Sequence, residues 1–276
     1  MQLTILGCRS GSPADGQPSS GYLVETAGAR LLLDCGPGIA VALSERVTPW
    51  TLDGVVISHL HSDHCYDLLP IGKSILSSTL EVPGGPRRRA ERPRSVPLLA
   101  PAGSSELFAR WAKLFPVTTI PMLDRAFETG FDVREYYDGA SYRIGDCAIS
   151  LRELKHVRTN CGIRVESPTG TLVYSGDTGM TPALVELAAG ADVLLCEATF
   201  SEPDRSEHGH LAAAEAGQVA AEAGVGELVL THFASTEPQW LASLPRAAAT
   251  EFDGPIRLAA PGLRIPVTSA LGAAHP

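Results

Sequence analysis

Short apolar runs separated by turn residues fill the first sixty positions. QLTIL, YLVET, ARLLLD and GVVIS read as strands, and GCRSGSPADGQPSSG between the first two reads as a loop. Short helices are predicted over residues 39 to about 46 and 67 to about 77, Asp67 serving as the N-cap of the second. SSELFARWAKLF, residues 104–115, repeats its apolar side chains at helical spacing behind a Ser N-cap. Strand patterning returns from residue 132 in DVREY, SYRI, CAISLREL, CGIRVES and TLVYS, the last two joined by PTG as a hairpin turn. The final third alternates helix and strand through PALVELAAG, DVLLCEA, LAAAEAGQVAAEAG, ELVLTH and a helix over residues 239–250. Two strand-rich halves, each with helices, predict two sheets packed together with helices outside. No linker divides the chain, so one domain over residues 1–276 is expected.

Composition narrows the functional classes. With 44% hydrophobic residues the chain has ample material for a core, and its net charge of −9 argues against a broad nucleic-acid footprint. Six cysteines, Cys8, Cys35, Cys65, Cys147, Cys161 and Cys196, show no CxxC pairing and are expected to be reduced and mostly buried. The start MQLTILGCRSGS lacks the pattern of an export signal and no run of 18 apolar residues occurs, so the cytosol is the expected compartment and no membrane partner is expected. One segment departs from the rest: residues 81–97 form an Arg/Pro/Gly-rich stretch with five arginines in residues 87–94. It reads either as a solvated loop or as an arm that meets an anionic substrate.

The chemistry concentrates at SHLHSDHCYD, residues 58–67, directly after the apolar run GVVI. His59, His61, Asp63 and His64 converge only if the chain turns sharply as it leaves the strand. Imidazole and carboxylate are the ligands a divalent ion takes when thiolate is absent, and groups on both sides of a turn can serve two adjacent ions. Three further candidates each follow an apolar run: His156 after ISLRELK, Asp177 after TLVYSG and His232 after ELVLT.

HLHSDH, the single His156, the SGDTG around Asp177 and the LTHF around His232 resemble the ordered metal motifs of the metallo-β-lactamase superfamily. The resemblance spans nearly the whole chain and implies an α/β fold, a four-layer αββα sandwich of two mixed sheets with helices outside. It implies two divalent ions, Zn²⁺ in the first instance with Mn²⁺ or Fe as alternatives: one on His59, His61 and His156, the other on Asp63, His64 and His232, with Asp177 bridging. LGCRSGSP with its downstream SSGYLV, and CEATF followed by GHLAAAEAG, resemble the ribonuclease Z and cyclic-nucleotide phosphodiesterase branch. In that branch a glutamate and a histidine form a pair near the metals, here Glu197 and His210. Ribonuclease Z of the usual bacterial type carries a long transfer-RNA arm between the third histidine motif and the bridging aspartate. Only 20 residues separate His156 from Asp177, so that arm is absent.

The resemblance therefore points to a metal-dependent phosphodiesterase acting through a metal-bound hydroxide on a small, cyclic-nucleotide-like phosphodiester, assembled as a homodimer. Asp63 is the expected proton acceptor and His210, held by Glu197, the expected proton donor. Arg158, Thr159 and Asn160 read either as phosphate contacts or as surface and turn residues, and Tyr66 either as lining the entrance or as packing. His208 reads as an exposed loop residue. A hydrolase of an ester, thioester or lactam is the alternative, because the same nucleophile attacks acyl carbons. RNA processing or RNA binding through the arginine-rich arm is a third reading.

Overall fold

A computed structural model describes residues 1–78, 80 and 94–269. Two seven-stranded sheets lie face to face, and each is half antiparallel and half parallel. The first contains β1 (Gln2–Gly7), β2 (Gly21–Glu25), β3 (Arg30–Leu33), β4 (Gly54–Val56), β5 (Val96–Pro101), β6 (Phe131–Tyr136) and, at its outer edge beside β1, β14 (Arg264–Pro266). Its first three strands pair antiparallel, and β3 to β6 run parallel. The second sheet repeats the plan. β7 (Ser141–Ile144), β8 (Cys147–Leu154), β9 (Asn160–Ser167) and β10 (Gly170–Tyr174) pair antiparallel, and β11 (Val193–Glu197), β12 (Glu227–Thr231) and β13 (Ile256–Leu258) continue in parallel from β10.

The period-2 pattern explains the layers. In the first sheet Leu3, Ile5, Tyr22, Val24, Leu31, Leu33 and Val56 join the core shared with the second sheet. Their neighbours Leu23, Leu32, Val55 and Ile57 instead join a second cluster under α1 (Ile39–Ser44) and α3 (Leu68–Ser77). On the opposite side α5 (Pro182–Ala188), α6 (Ala213–Ala223) and α7 (Pro238–Ala248) cover the second sheet, their small or aliphatic faces entering the shared core. The result is the expected αββα order.

Several local expectations need correction. Asp67 stands before α3, but its carboxylate makes no bond to that helix and accepts the N–H of Ala40 in the first turn of α1, tying the two helices together. Ser104 is the first residue of α4 (Ser104–Ala112), not its cap; Gly103 occupies that position with φ 84°, and Glu135 of β6 accepts the Ser105 N–H. The chain after GVVI makes a one-turn helix, α2 (Ser62–Cys65), in place of a simple bend, and β13, β14 and the helical turns over residues 121–130 carried too short a pattern to be read from the sequence. The predicted hairpin closes as Ser167 pairs with Gly170, leaving residues 168–169 as its turn. Of the arginine-rich segment 81–97, residues 81–93 lie outside the described residues, and Arg94 is an exposed partner of Asp53 at 3.1 Å. All six cysteines are free and buried.

Candidate metal centre

Parallel strands end on a common edge, and the side chains of interest follow them there. β4 leads into His59, His61, Asp63 and His64; β10 into Asp177; β11 ends in Glu197; β12 leads into His232. His156 comes from the connection between β8 and β9. Backbone bonds pin the first loop: Ser20 N–H donates to the Asp63 carbonyl, Cys35 N–H to that of His64, and Asp67 N–H to that of Cys35. The approach is so close that a Cβ on Gly36 would lie 1.9 Å from the Asp63 carbonyl oxygen, which is why glycine follows Cys35. Asp34 and His232 both adopt left-handed backbone, φ 56° and 60°, a strain that non-glycine residues keep only where the surroundings enforce it.

Seven residues converge into two groups that share Asp177. In the first, His59 Nε2 lies 3.0 Å from His61 Nδ1, His61 Nδ1 lies 3.3 Å from His156 Nε2, and His59 Nε2 lies 3.6 Å from Asp177 Oδ2. In the second, His64 Nε2 lies 3.2 Å from His232 Nε2, and Asp177 Oδ1 lies 3.3 Å from each. Asp63 Oδ2 completes it at 3.3 Å from His232 Nε2 and 3.5 Å from His64 Nε2. Ligand atoms about 2.0–2.2 Å from an ion at tetrahedral angles are separated by about 3.3–3.6 Å, so the spacing of both groups is that of a coordination shell.

Hydrogen positions decide whether these contacts can be hydrogen bonds. Asp34 accepts from the Ser58 hydroxyl, the Ser58 N–H and the Tyr174 hydroxyl, so His64 Nδ1, 2.7 Å from Asp34 Oδ2, must also be a donor. Having given its proton to Asp34, Ser58 Oγ accepts from His59 Nδ1 at 3.1 Å. Thr199 Oγ1 donates to Glu197 Oε2 at 2.6 Å and therefore accepts from His232 Nδ1 at 2.8 Å. The Gly209 carbonyl accepts from His156 Nδ1 at 3.1 Å. His59, His156 and His232 thus turn an Nε2 lone pair inward, and His64 aims its own Nε2 at the same point, 3.2 Å from that of His232. Asp177 Oδ1, fully buried, has no hydrogen-bond partner among the described residues. Lone pairs and an orphaned carboxylate oxygen gathered in this way fit divalent cations.

Electrostatics agree with that donor set for His59, His61, His156 and Asp177. Burial, aided by the neighbouring imidazoles, holds His59 well below the usual histidine range and brings His61 down to about 4, and burial lowers His156 as well. Burial opposes the charge on Asp177, but His232, His64 and His59 outweigh it and keep the carboxyl well below the usual carboxylate range. His64 differs: burial acts downward and is overcome by Asp177 and Asp34, which raise it well above the ordinary value, so a cation at its Nε2 competes with a proton drawn by the same carboxylates.

Beside the second group stands the predicted Glu197 and His210 pair. Glu197 Oε1 accepts from Thr178 N–H at 2.7 Å and from His210 Nδ1 at 2.9 Å, and Oε2 accepts from Thr199 and from the Leu211 N–H. A carboxylate so fully engaged orients its partner and has no lone pair to offer an ion. His210 is buried, with its ring 5.3 Å from that of His156 and 5.6 Å from that of His232. Burial would lower its pKa, but the bond and charge of Glu197 prevail and raise it to about 8.

The expected substrate contacts fare differently. Asn160 is fully buried, its amide donating to the Ser175 carbonyl and its oxygen 3.4 Å from the Asp177 N–H, so it positions the Asp177 loop and is closed off from the surface. Arg158 is exposed and its side chain makes no hydrogen bond or ion pair among the described residues. Tyr66 is 52% exposed and packs on Trp111 at 5.5 Å between ring centroids. Asp34 and Thr199, which set two histidine tautomers, went unread in the sequence; LLLDCG offers a buried aspartate at a strand end as its signal, and EATF a threonine beside the glutamate.

A cage of histidines and aspartates at the strand-end edge of an αββα sandwich defines a metal-dependent hydrolase. The chain belongs to the beta-lactamase superfamily, whose domain model matches residues 29–233. It is 36% identical over 279 residues to the Mycobacterium leprae protein ML1173, covering 95% of this chain and 87% of that one. The Mycobacterium marinum ribonuclease Z is 31% identical over 280 residues, 94% of this chain and 95% of its own. The Bacillus subtilis protein named "Probable metallo-hydrolase YhfI" is 28% identical, covering 95% of this chain and 98% of its own, and the crystal structure of YhfI superposes with a TM-score of 0.80 over 96% of this chain and 98% of its own at 26% identity. No helix among the described residues is long and apolar enough to cross a membrane.

Proposed function

We propose that the chain is a two-ion phosphodiesterase for a small phosphodiester, with a cyclic nucleotide as a candidate substrate. The observation that carries this reading is the Glu197 and His210 pair set against the cage. A phosphodiester needs a proton for its departing oxygen, and an imidazole whose Nδ1 is tied to Glu197 at 2.9 Å keeps Nε2 for that purpose. Zinc, or Mn²⁺ or Fe on the same nitrogen and oxygen donors, would activate a water and neutralise charge on the phosphate oxygens. His59, His61 and His156 would hold one ion and Asp63, His64 and His232 the other, with Asp177 shared between them. Asp63, whose Oδ2 also accepts the Gly11 N–H at 2.8 Å, would accept the proton of the attacking water.

Two observations favour a small substrate over transfer RNA. The stretch between His156 and Asp177 is consumed by β9, a tight turn and β10, which leaves no length for an arm, and the net charge is −9. Phosphodiester chemistry is supported by the relative named ribonuclease Z. Initial rates of metal-loaded protein on bis-p-nitrophenyl phosphate and on a panel of p-nitrophenyl acyl esters test the reading. Diester turnover is expected, with His210→Ala retaining its metal and slowing by about 10²- to 10⁴-fold. Acyl turnover without diester turnover contradicts it.

A further inference from the structure

The two donor groups differ in access. Asp63, His64, Asp177 and His232 are all buried, whereas His61 and His156 of the other group are half-buried, so a substrate reaches the centre from the His61 and His156 side. His208 stands over that side. Its ring lies nearly parallel to that of His61 at 6.3 Å between centroids and is 5.6 Å from His156 and 5.1 Å from His210. The residue is exposed, belongs to neither donor group, and its ring makes no hydrogen bond among the described residues.

Its position is fixed by the backbone on both sides. The His208 carbonyl accepts the Val157 N–H at 3.2 Å, next to His156. Gly209, with φ 79°, packs so closely that a Cβ there would lie 2.6 Å from the Lys155 carbonyl oxygen and 3.3 Å from His156 Cα. The segment carrying His208 is thereby fastened to the segment carrying His156, which places the residue beside the entrance.

We infer that His208 is a substrate-binding residue whose free ring N–H donates to a non-bridging phosphate oxygen of the incoming diester. Either tautomer of a neutral imidazole has one N–H, and a donor in this place meets the anionic group that the adjacent cage attracts. The inference deepens the phosphodiesterase reading and rests on it.

The test compares wild type, His208→Ala and His208→Gln, all metal-loaded and with metal content measured. Inorganic phosphate is the probe for calorimetric affinity and bis-p-nitrophenyl phosphate the substrate. Loss of one exposed hydrogen bond to a charged group predicts about tenfold weaker phosphate binding and about tenfold higher KM in the alanine variant, with a smaller change in kcat and unaltered metal content. Glutamine, which keeps a donor, recovers most of the loss. Unchanged phosphate affinity and KM in His208→Ala overturn the inference, as does failure of glutamine to rescue or loss of metal from either variant. Phosphate binding is read without turnover. Absence of diester turnover in wild type overturns the phosphodiesterase reading, while the calorimetry separately decides whether His208 binds phosphate.

Discussion

The two donor groups share one carboxylate yet sit in different surroundings. The group of Asp63, His64, Asp177 and His232 is sealed in the protein, and its histidines are each held from behind, His64 by Asp34 and His232 by Thr199. The group of His59, His61, His156 and Asp177 also has two histidines held from behind, His59 by Ser58 and His156 by the Gly209 carbonyl, but two of its members, His61 and His156, are only half-buried. Under the proposed two-ion reading, the contrast gives retention to the first and contact with substrate to the second. Fully buried ligands lose little freedom on binding an ion, whereas half-buried ones leave a face open for substrate.

The most damaging change should be Asp177→Ala, which removes a ligand from both groups at once. Loss of both ions and a fall in turnover beyond about 100-fold, the upper range for losing a mere supporting residue, are expected from metal analysis and initial rates. Retention of either ion at full occupancy would show that the groups are independent. Thr199→Val should act on the sealed group through His232, lowering its metal affinity by about 10- to 100-fold while the half-buried group keeps its own. Competition with a chromogenic chelator measures this, and equal weakening of both groups would contradict the assignment. Wild type treated with chelator should lose metal in two phases, the faster from the half-buried group, and His61→Ala should abolish the fast phase. A single phase in wild type breaks the comparison. The smallest effect belongs to the thiols. Burial pushes Cys8, Cys65 and Cys161 up to about 12 and raises Cys35 well above the usual thiol range, so the native protein should react with a thiol reagent far more slowly than the same protein in denaturant.

How much of this could be read from the chain depended on whether the signal was local. HLHSDH places four ligand candidates in six residues, and the strand ending before it is visible as GVVI, so their convergence needs only one turn. His156, Asp177 and His232 were found because each follows an apolar run, which in a sandwich delivers them to one edge. The period-2 pattern likewise disclosed both sheets. What escaped depends on partners distant in sequence. Asp34 matters because His64, Ser58 and Tyr174 all point at it, and nothing in LLLDCG announces those three donors. Asn160 resembles a substrate contact in HVRTNCG, yet β9 buries it behind the Asp177 loop. Asp67 sits where a cap belongs, but the neighbouring helix α1 captures its carboxylate. His208 looks like one more polar residue in EPDRSEHGH until the backbone bond from Val157 brings it over His61 and His156.

The shared carboxylate is the centre of this account, and the number of ions that it joins is the quantity to measure. Equilibrium dialysis of the wild-type protein against excess Zn²⁺, followed by metal analysis per chain, should give two equivalents, falling toward one in His61→Ala and toward none in Asp177→Ala. One equivalent in wild type under saturating metal, or two in Asp177→Ala, would contradict the view that Asp177 bridges two unequal sites.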